Sequence, residues 1–398
     1  MNPSSTHRFS RPFVEGWLVV GLCIFMAAFY VLPPGKMLNN VYYALALPPA
    51  LFLIIKEREV FSGSFIGATI LLLLAYVSVS TWWGDNASLK QWLHSLKHFF
   101  YVICFIFAIS YLYRRPNDFW LVLRIVLLAA CIGGGINVWE WYFEGHAHGR
   151  LAGKVAPQNS VDLGVAYGFA ALLAVSAFFM DHRFRWLHAV FSVLLIIALF
   201  MTQTRVAIVA FVVSVLPFFI LPSFRRQAFV MGALLLSMII IGVYSGYFER
   251  FTLALSGASG IQARVWIWEE VFRMVKEQSI LWGAGLNTPT EFYVPKLKRT
   301  PFTTTHNLFV GTFFIGGAIA LLLVATLLFQ AFWGAIKKIL GAANPLPFSL
   351  LVYAVLASLA HGTRIIGQPS DVWMFWWLPI GVALAVVVSQ RQHTPVKE

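Results

Sequence analysis

Charge is scarce in this chain. Asp, Glu, Lys and Arg together make only 11% of its 398 residues, against roughly a quarter in ordinary soluble domains. That shortage excludes a conventional water-soluble globule, and a mean hydropathy of +0.76 points the same way. Acidic side chains are rarest, 16 against 29 basic ones, for a formal net charge of +13. In a soluble protein such an excess would suggest nucleic acid, but no segment resembles a nucleic-acid module. In a membrane protein it reads as the positive-inside bias plus attraction to anionic lipid. Cysteine is nearly absent: Cys23, Cys104 and Cys131 each stand alone in an apolar run. Their separation excludes a disulfide framework or a thiolate metal site. The polar start, Met1 to Glu15, is followed by an apolar run without a small-residue cleavage site, so that run reads as a first span and not a removable signal.

Apolar residues make 59% of the chain. A bilayer core needs about 20 apolar residues per helix. On that rule the sequence predicts an all-α polytopic membrane protein, 1–398 as a single integral membrane domain, with about twelve spans: 16–32, 41–55, 64–82, 98–113, 119–139, 161–180, 186–201, 206–222, 228–247, 307–333, 346–363 and 371–390. An even count puts both termini on one side. If that side is cytoplasmic, its segments carry Arg8, Arg11, Lys56, Arg58, Arg114, Arg115, Arg183, Arg185, Arg225, Arg226, Lys337, Lys338, Arg391 and Lys397. The short loops opposite carry only Lys36, Lys90, Lys97, Arg150, Lys154, Arg205 and Arg364. This asymmetry predicts cytoplasmic termini and places the long loop 248–306, between spans nine and ten, outside.

Basic residues kept on the disfavoured outer side call for an anion. Arg150 and Lys154, with Gln158 and Asn159 near the start of span six, suit contacts to a sugar or phosphate. His146 and His148 with Glu144 could form a metal pair, but the spacing is loose and no third histidine lies near; a solvated loop is the default. Arg205, in TQTRVAIVAF, opens span eight. It either snorkels to headgroups or adds to the anion-attracting start of a helix.

In the long loop, Ser259 and Gln262 have capping-box spacing. Ile261, Val265, Trp268, Phe272 and Val275 then fall on one face, with Glu269, Arg273 and Glu277 as a charged ladder. An amphipathic helix lying on the membrane or bundle surface is predicted. Arg264 sits in its first turns, placed for a phosphate or for an ion pair with Glu269. Gly283, Gly285 and Pro289 form a turn-rich stretch that could hinge, and Lys296, Lys298 and Arg299 a solvated basic run. His306 and Asn307 close the loop at the membrane boundary, Asn307 able to orient a ring or a sugar hydroxyl. His361, Arg364, Gln368 and Asp371 flank the last outer loop, and no acidic metal cluster is visible on this face.

Four stretches resemble the integral-membrane O-antigen ligases and their polymerase relatives: TQTRVAIVAF; QARVWIWEEVFRMVKEQSILWGAGLN; His306-Asn307 after a long loop; and KVAPQNSVDLG leading into span six. Gly316 and Gly317 match a glycine of the ligase pattern, while Ile319 and Ala320 depart from its next position, which weighs toward a polymerase. The resemblance implies a bacterial inner-membrane glycosyltransferase with a periplasmic site. Its donor would be a glycan on undecaprenyl diphosphate and its acceptor a hydroxyl of lipid A-core. It further implies His306 as general base, Arg205 and Arg264 on the diphosphate, no metal or other cofactor, membrane lipids as surroundings, no nucleic acid, and a monomer. Arg150, Lys154, Gln158, Asn159, Asn307 and Arg364 complete the predicted substrate contacts. A transporter of lipid-linked glycan is the rival from another class. It fits less well, because the spans are nearly free of midplane charge and show no convincing internal repeat.

Overall fold

The computed structural model describes residues 11–57, 59–143, 150–244, 259–289, 291, 293 and 302–392. Thirteen principal helices run in chain order: α1 Arg11–Val31, α2 Lys36–Lys56, α3 Phe65–Val79, α4 Leu89–Tyr113, α5 Pro116–Phe143, α6 Ser160–Met180, α7 Arg185–Met201, α8 Arg205–Ile220, α9 Arg225–Tyr244, α10 Ser259–Gln278, α11 Leu308–Ala342, α12 Leu346–Ser358 and α13 Trp373–Gln390. Each of the twelve apolar runs is therefore helical, and α10 is the extra, amphipathic helix. Nine helices among the described residues are long and apolar enough to cross a membrane. The other three runs differ from simple spans. α8 and the first part of α9 pass that test only together, across a 93° bend at Leu221. α12 stops at Ser358, well short of the predicted 363. The turn after it contains Gly362 at φ 85, a left-handed value that favours glycine. The protein is an all-α polytopic membrane protein.

Several helices begin where a polar side chain satisfies an orphan amide. Ser64, Ser88, Asn159 and Asn307 accept from backbone N–H groups at the starts of α3, α4, α6 and α11. The core is organised around α6, apolar on every side and almost wholly buried. Tyr353 and Tyr30 donate their hydroxyls to the α6 carbonyls of Val165 and Ala166, at 2.7 and 3.3 Å. The three cysteines are free.

Polar contacts sort the helix ends into two groups. At one end Arg115 pairs with Glu15, Arg114 with Glu57, and Asn344 donates to Tyr113. Arg124 does not snorkel freely as a lone span residue would: its Nε lies 3.6 Å from Asp181, which also bonds buried His188, and its guanidinium covers the Phe184 ring. The opposite end gathers the segments around Asn39, Gly84, Arg150, Thr202, Asn287, His306 and His361.

α10 adopts the predicted helix with a rotated buried face. Ile267, Val271 and Val275 are buried, whereas Phe272 is 52% exposed and packs against Phe313 at 5.3 Å. Arg273 bonds Glu270 and Glu277, so its ladder runs through Glu270 and not through Glu269 as the spacing predicted. The stretch after α10 is no open hinge. It is inserted into α11, where Gly317 breaks the helix at φ 61, ψ −157. Ala284 and Gly285 donate to the carbonyls of Phe314 and Ile315, and Ala318 and Ile319 donate to those of Ile280 and Leu281. The insertion thus satisfies backbone groups that a break in a membrane helix would otherwise expose.

Candidate active site

The site is built from the turn before α8 outward. Gln203 takes a left-handed φ of 51, folding TQTR so tightly that Thr204 Oγ1 donates to the carbonyl of Ser160 at 2.8 Å. Arg205 is thereby fixed beside the first turn of α6. Arg150 reaches the same turn, donating Nε to the carbonyl of Thr202 at 3.0 Å and Nη2 to Thr204 Oγ1 at 3.1 Å.

Arg264 enters from α10. It is half-buried and makes no ion pair with a carboxylate among the described residues, Glu269 included. Burial and the like charge of Arg150 both lower its pKa, which places two guanidinium groups within each other's field. Trp268, one turn further, donates Nε1 to the carbonyl of Thr305 at 3.0 Å and so ties α10 to the segment carrying His306.

His306 itself has φ 49, a left-handed conformation uncommon for any residue but glycine, though histidine visits it more than most. Asn307 anchors the start of α11: its Oδ1 accepts from Phe309 and Val310, and its Nδ2 donates to the carbonyl of Leu359 at 2.9 Å. Only 5% exposed, Asn307 is committed to the helix cap and to the neighbouring loop, so it orients no sugar; it positions the histidine before it. The His306 Nε2 lies 2.9 Å from Thr304 Oγ1. Its pKa is lowered first by burial, then by the charges of Arg264 and His361, which favours the neutral ring.

The expectation of no acidic cluster on this face needs correction. Asp162, from the first turn of α6, and Asp371, just before α13, flank His361, with ligand atoms all within 4.8 Å of one another. His361 Nε2 hydrogen-bonds Asp371, and its Nδ1 lies 3.5 Å from Asp162. Burial would discharge His361, but Asp371 and then Asp162 outweigh it and raise its pKa, against the opposing charge of Arg264. For Asp371 likewise, burial is outweighed by His361, and the carboxyl stays below its usual range. The trio can hold a proton on His361 between two carboxylates, and its donor set could also take a cation. Sequence spacing could not find it, since Asp162 lies some two hundred residues from the loop that carries His361 and Asp371.

The remaining predicted contacts serve more local roles. Lys154 Nζ pairs with Glu140 at 3.0 Å, and the backbone amides of Lys154 and Val155 donate to Asn137. Asn159 caps α6, and the Gln158 carbonyl accepts from Gly153, folding the loop back on itself. Arg364 lines a cleft that includes none of Arg205, Arg264 and His306 among its described lining residues. His146, His148, Glu144, Lys296, Lys298 and Arg299 lie outside the described residues.

Arg205, Arg264 and His306 all fall within residues 190–325, the stretch that matches the family described as O-Antigen ligase. The O-antigen ligase of Pseudomonas aeruginosa is 27% identical over 388 residues, covering 94% of this chain and 90% of that protein. Both comparisons liken the chain to O-antigen ligases. Both comparisons carry the ligase name, although Ile319 and Ala320 had weighed toward a polymerase. Ile319 contributes its backbone N–H to the helix break, donating to the Leu281 carbonyl at 3.4 Å. Arg150 and the 359–372 loop lie outside residues 190–325.

Proposed function

We infer that the protein transfers a glycan from undecaprenyl diphosphate to a sugar hydroxyl of lipid A-core at the periplasmic face of the inner membrane. The observation that carries the reading is Arg264: half-buried, beside Arg150, and without a carboxylate partner among the described residues. Like charges held together in partial burial are costly until an anion joins them. A diphosphate is such an anion. Arg205, at the start of α8 and next to the turn gripped by Arg150, would add to the clamp.

In the proposed step the acceptor hydroxyl attacks the anomeric carbon while the bond from that carbon to the diphosphate oxygen breaks. The hydroxyl proton passes to His306, and the diphosphate departs on its polyprenyl carrier with the bonding electrons. Attack opposite the leaving group inverts the anomeric centre. Negative charge grows on the departing oxygen, where fixed cations are most effective. A neutral imidazole is the form able to accept the proton, and the neighbours of His306 favour that form.

Reconstitution tests this directly. Purified protein is given an undecaprenyl-diphosphate oligosaccharide with and without lipid A-core, in chelator, beside His306→Ala. The expected result is product on lipid A-core that requires His306 and persists without metal. Extended glycan still on the carrier would replace ligase by polymerase, and absence of any covalent product from the wild type would favour transport. Loss of product in chelator would remove the metal-independent step and turn attention to Asp162, His361 and Asp371.

A further inference from the structure

A second polar cleft, of about 420 Å³, is lined in part by the loop that carries His361. Arg364, Gln368 and Ser370 form one wall; His94 and His98, with ring centroids 4.4 Å apart, and Asn287 form the other. Trp373 also lines it, backed by Tyr42 and Phe105. Among the described residues no carboxylate lines this cleft, and Arg364, exposed to it, makes no ion pair there. Asn287 Nδ2 is buried with no hydrogen-bond partner among those residues. Fixed positive charge, an idle amide donor, hydroxyl and amide groups and an aromatic wall together match a sugar bearing an anionic group.

The loop relates this cleft to the catalytic site. Its start is tied to Asn307 through the Leu359 carbonyl, and its middle is held by Trp377 Nε1 donating to Ile365 at 2.8 Å. His361 lies near enough to His306 to act on it electrostatically and bonds Asp371, while Arg364, Gly367, Gln368 and Ser370 line the cleft. One loop therefore carries residues of both.

We propose that this cleft is the acceptor subsite, binding a phosphorylated sugar so that a neighbouring hydroxyl is presented across the loop to His306. This rests on the transferase reading above, but its binding component can be tested without turnover. Full-length wild type, Arg364→Gln and Asn287→Leu, in phosphatidylcholine nanodiscs, are titrated with a phosphorylated core oligosaccharide and with the same oligosaccharide after phosphatase treatment.

Arg364→Gln is expected to weaken binding of the phosphorylated form about 10- to 100-fold, the loss typical of a charge-assisted hydrogen bond. It should also erase the preference over the dephosphorylated form. Asn287→Leu should weaken both forms. Wild-type binding in both variants, or equal losses on both sugars in Arg364→Gln, overturns the proposal. So does abolition of sugar binding by phosphatidylglycerol in the disc, which would assign the cleft to lipid headgroups. In the transfer assay Arg364→Gln should raise KM for the acceptor and not for the donor; the reverse also overturns it. Arg364-dependent sugar binding by a wild type that transfers nothing would retain the subsite and refute the transferase reading, which keeps the two failures distinct.

Discussion

Replacing Gly283 by alanine is the sharpest test of how the long loop is held. Gly283 has φ 69, and a Cβ there would stand 2.5 Å from Gly317 N and 2.6 Å from the Phe314 carbonyl. Both are backbone atoms of the helix break, so no flexible side chain can yield. The left-handed conformation alone costs alanine about 1–2 kcal/mol. If relief of the overlap parts the insertion from α11, the four backbone bonds joining them are at risk, each worth about 1 kcal/mol net. The expected destabilisation is therefore about 2 to 6 kcal/mol, a large share of the roughly 5–15 kcal/mol that holds typical domains. Gly135→Ala is the control, because a Cβ there meets nothing within 4 Å. In that helix interior alanine should be neutral or stabilising by roughly 0.5–1 kcal/mol. Thermal unfolding of both variants in detergent, followed by tryptophan fluorescence, gives the comparison. Equal midpoints for Gly283→Ala and wild type would refute the claim that the turn is locked into the helix.

Three further outcomes are expected at the site. Arg264→Lys and Arg205→Lys keep the charge but lose the planar fork; transfer should fall about 100- to 1000-fold, and wild-type rates would remove them from the clamp. Asn307→Ala should cost about 1 kcal/mol for the lost cap and more for the Leu359 tether, read as a lower unfolding midpoint; unaltered stability would contradict its assignment as a positioning residue. Asp371→Asn removes the main carboxylate sustaining the charge on His361, so His361 should deprotonate at lower pH. His306 then loses a positive neighbour, its pKa rises, and the acid limb of the pH–rate profile should move to higher pH. A limb that stays in place or moves down would show that His361 does not tune His306.

The membrane helices were legible because apolar length is a local property, and every predicted run is a helix. Motif resemblance singled out Arg205, Arg264 and His306, and all three fall within the matched stretch 190–325. The hidden features depend on partners distant in sequence. The buried face of α10 is set by what α10 leans on, so Phe272 could satisfy the periodicity and still point outward. Asn307 looked like a free amide because its partner Leu359 lies some fifty residues away. The Asp162–His361–Asp371 trio is assembled by the packing of α6 against the last loop, and no segment alone announces it. Gly316-Gly317 did mark something, yet a broken helix filled by another segment has no local pattern of its own.

The 93° bend between α8 and α9 has a consequence of a different kind. Beyond it, among the described residues, Phe229, Leu236 and Tyr244 are more than half exposed and Ile240 nearly so. In a bilayer these side chains meet acyl chains, so the segment leading toward the arginine-bearing helix α10 has lipid as its principal solvent. Its tilt then responds to hydrocarbon thickness, which sets how a helix of fixed length settles between two interfaces. The membrane is in this sense a mechanical neighbour of the candidate site.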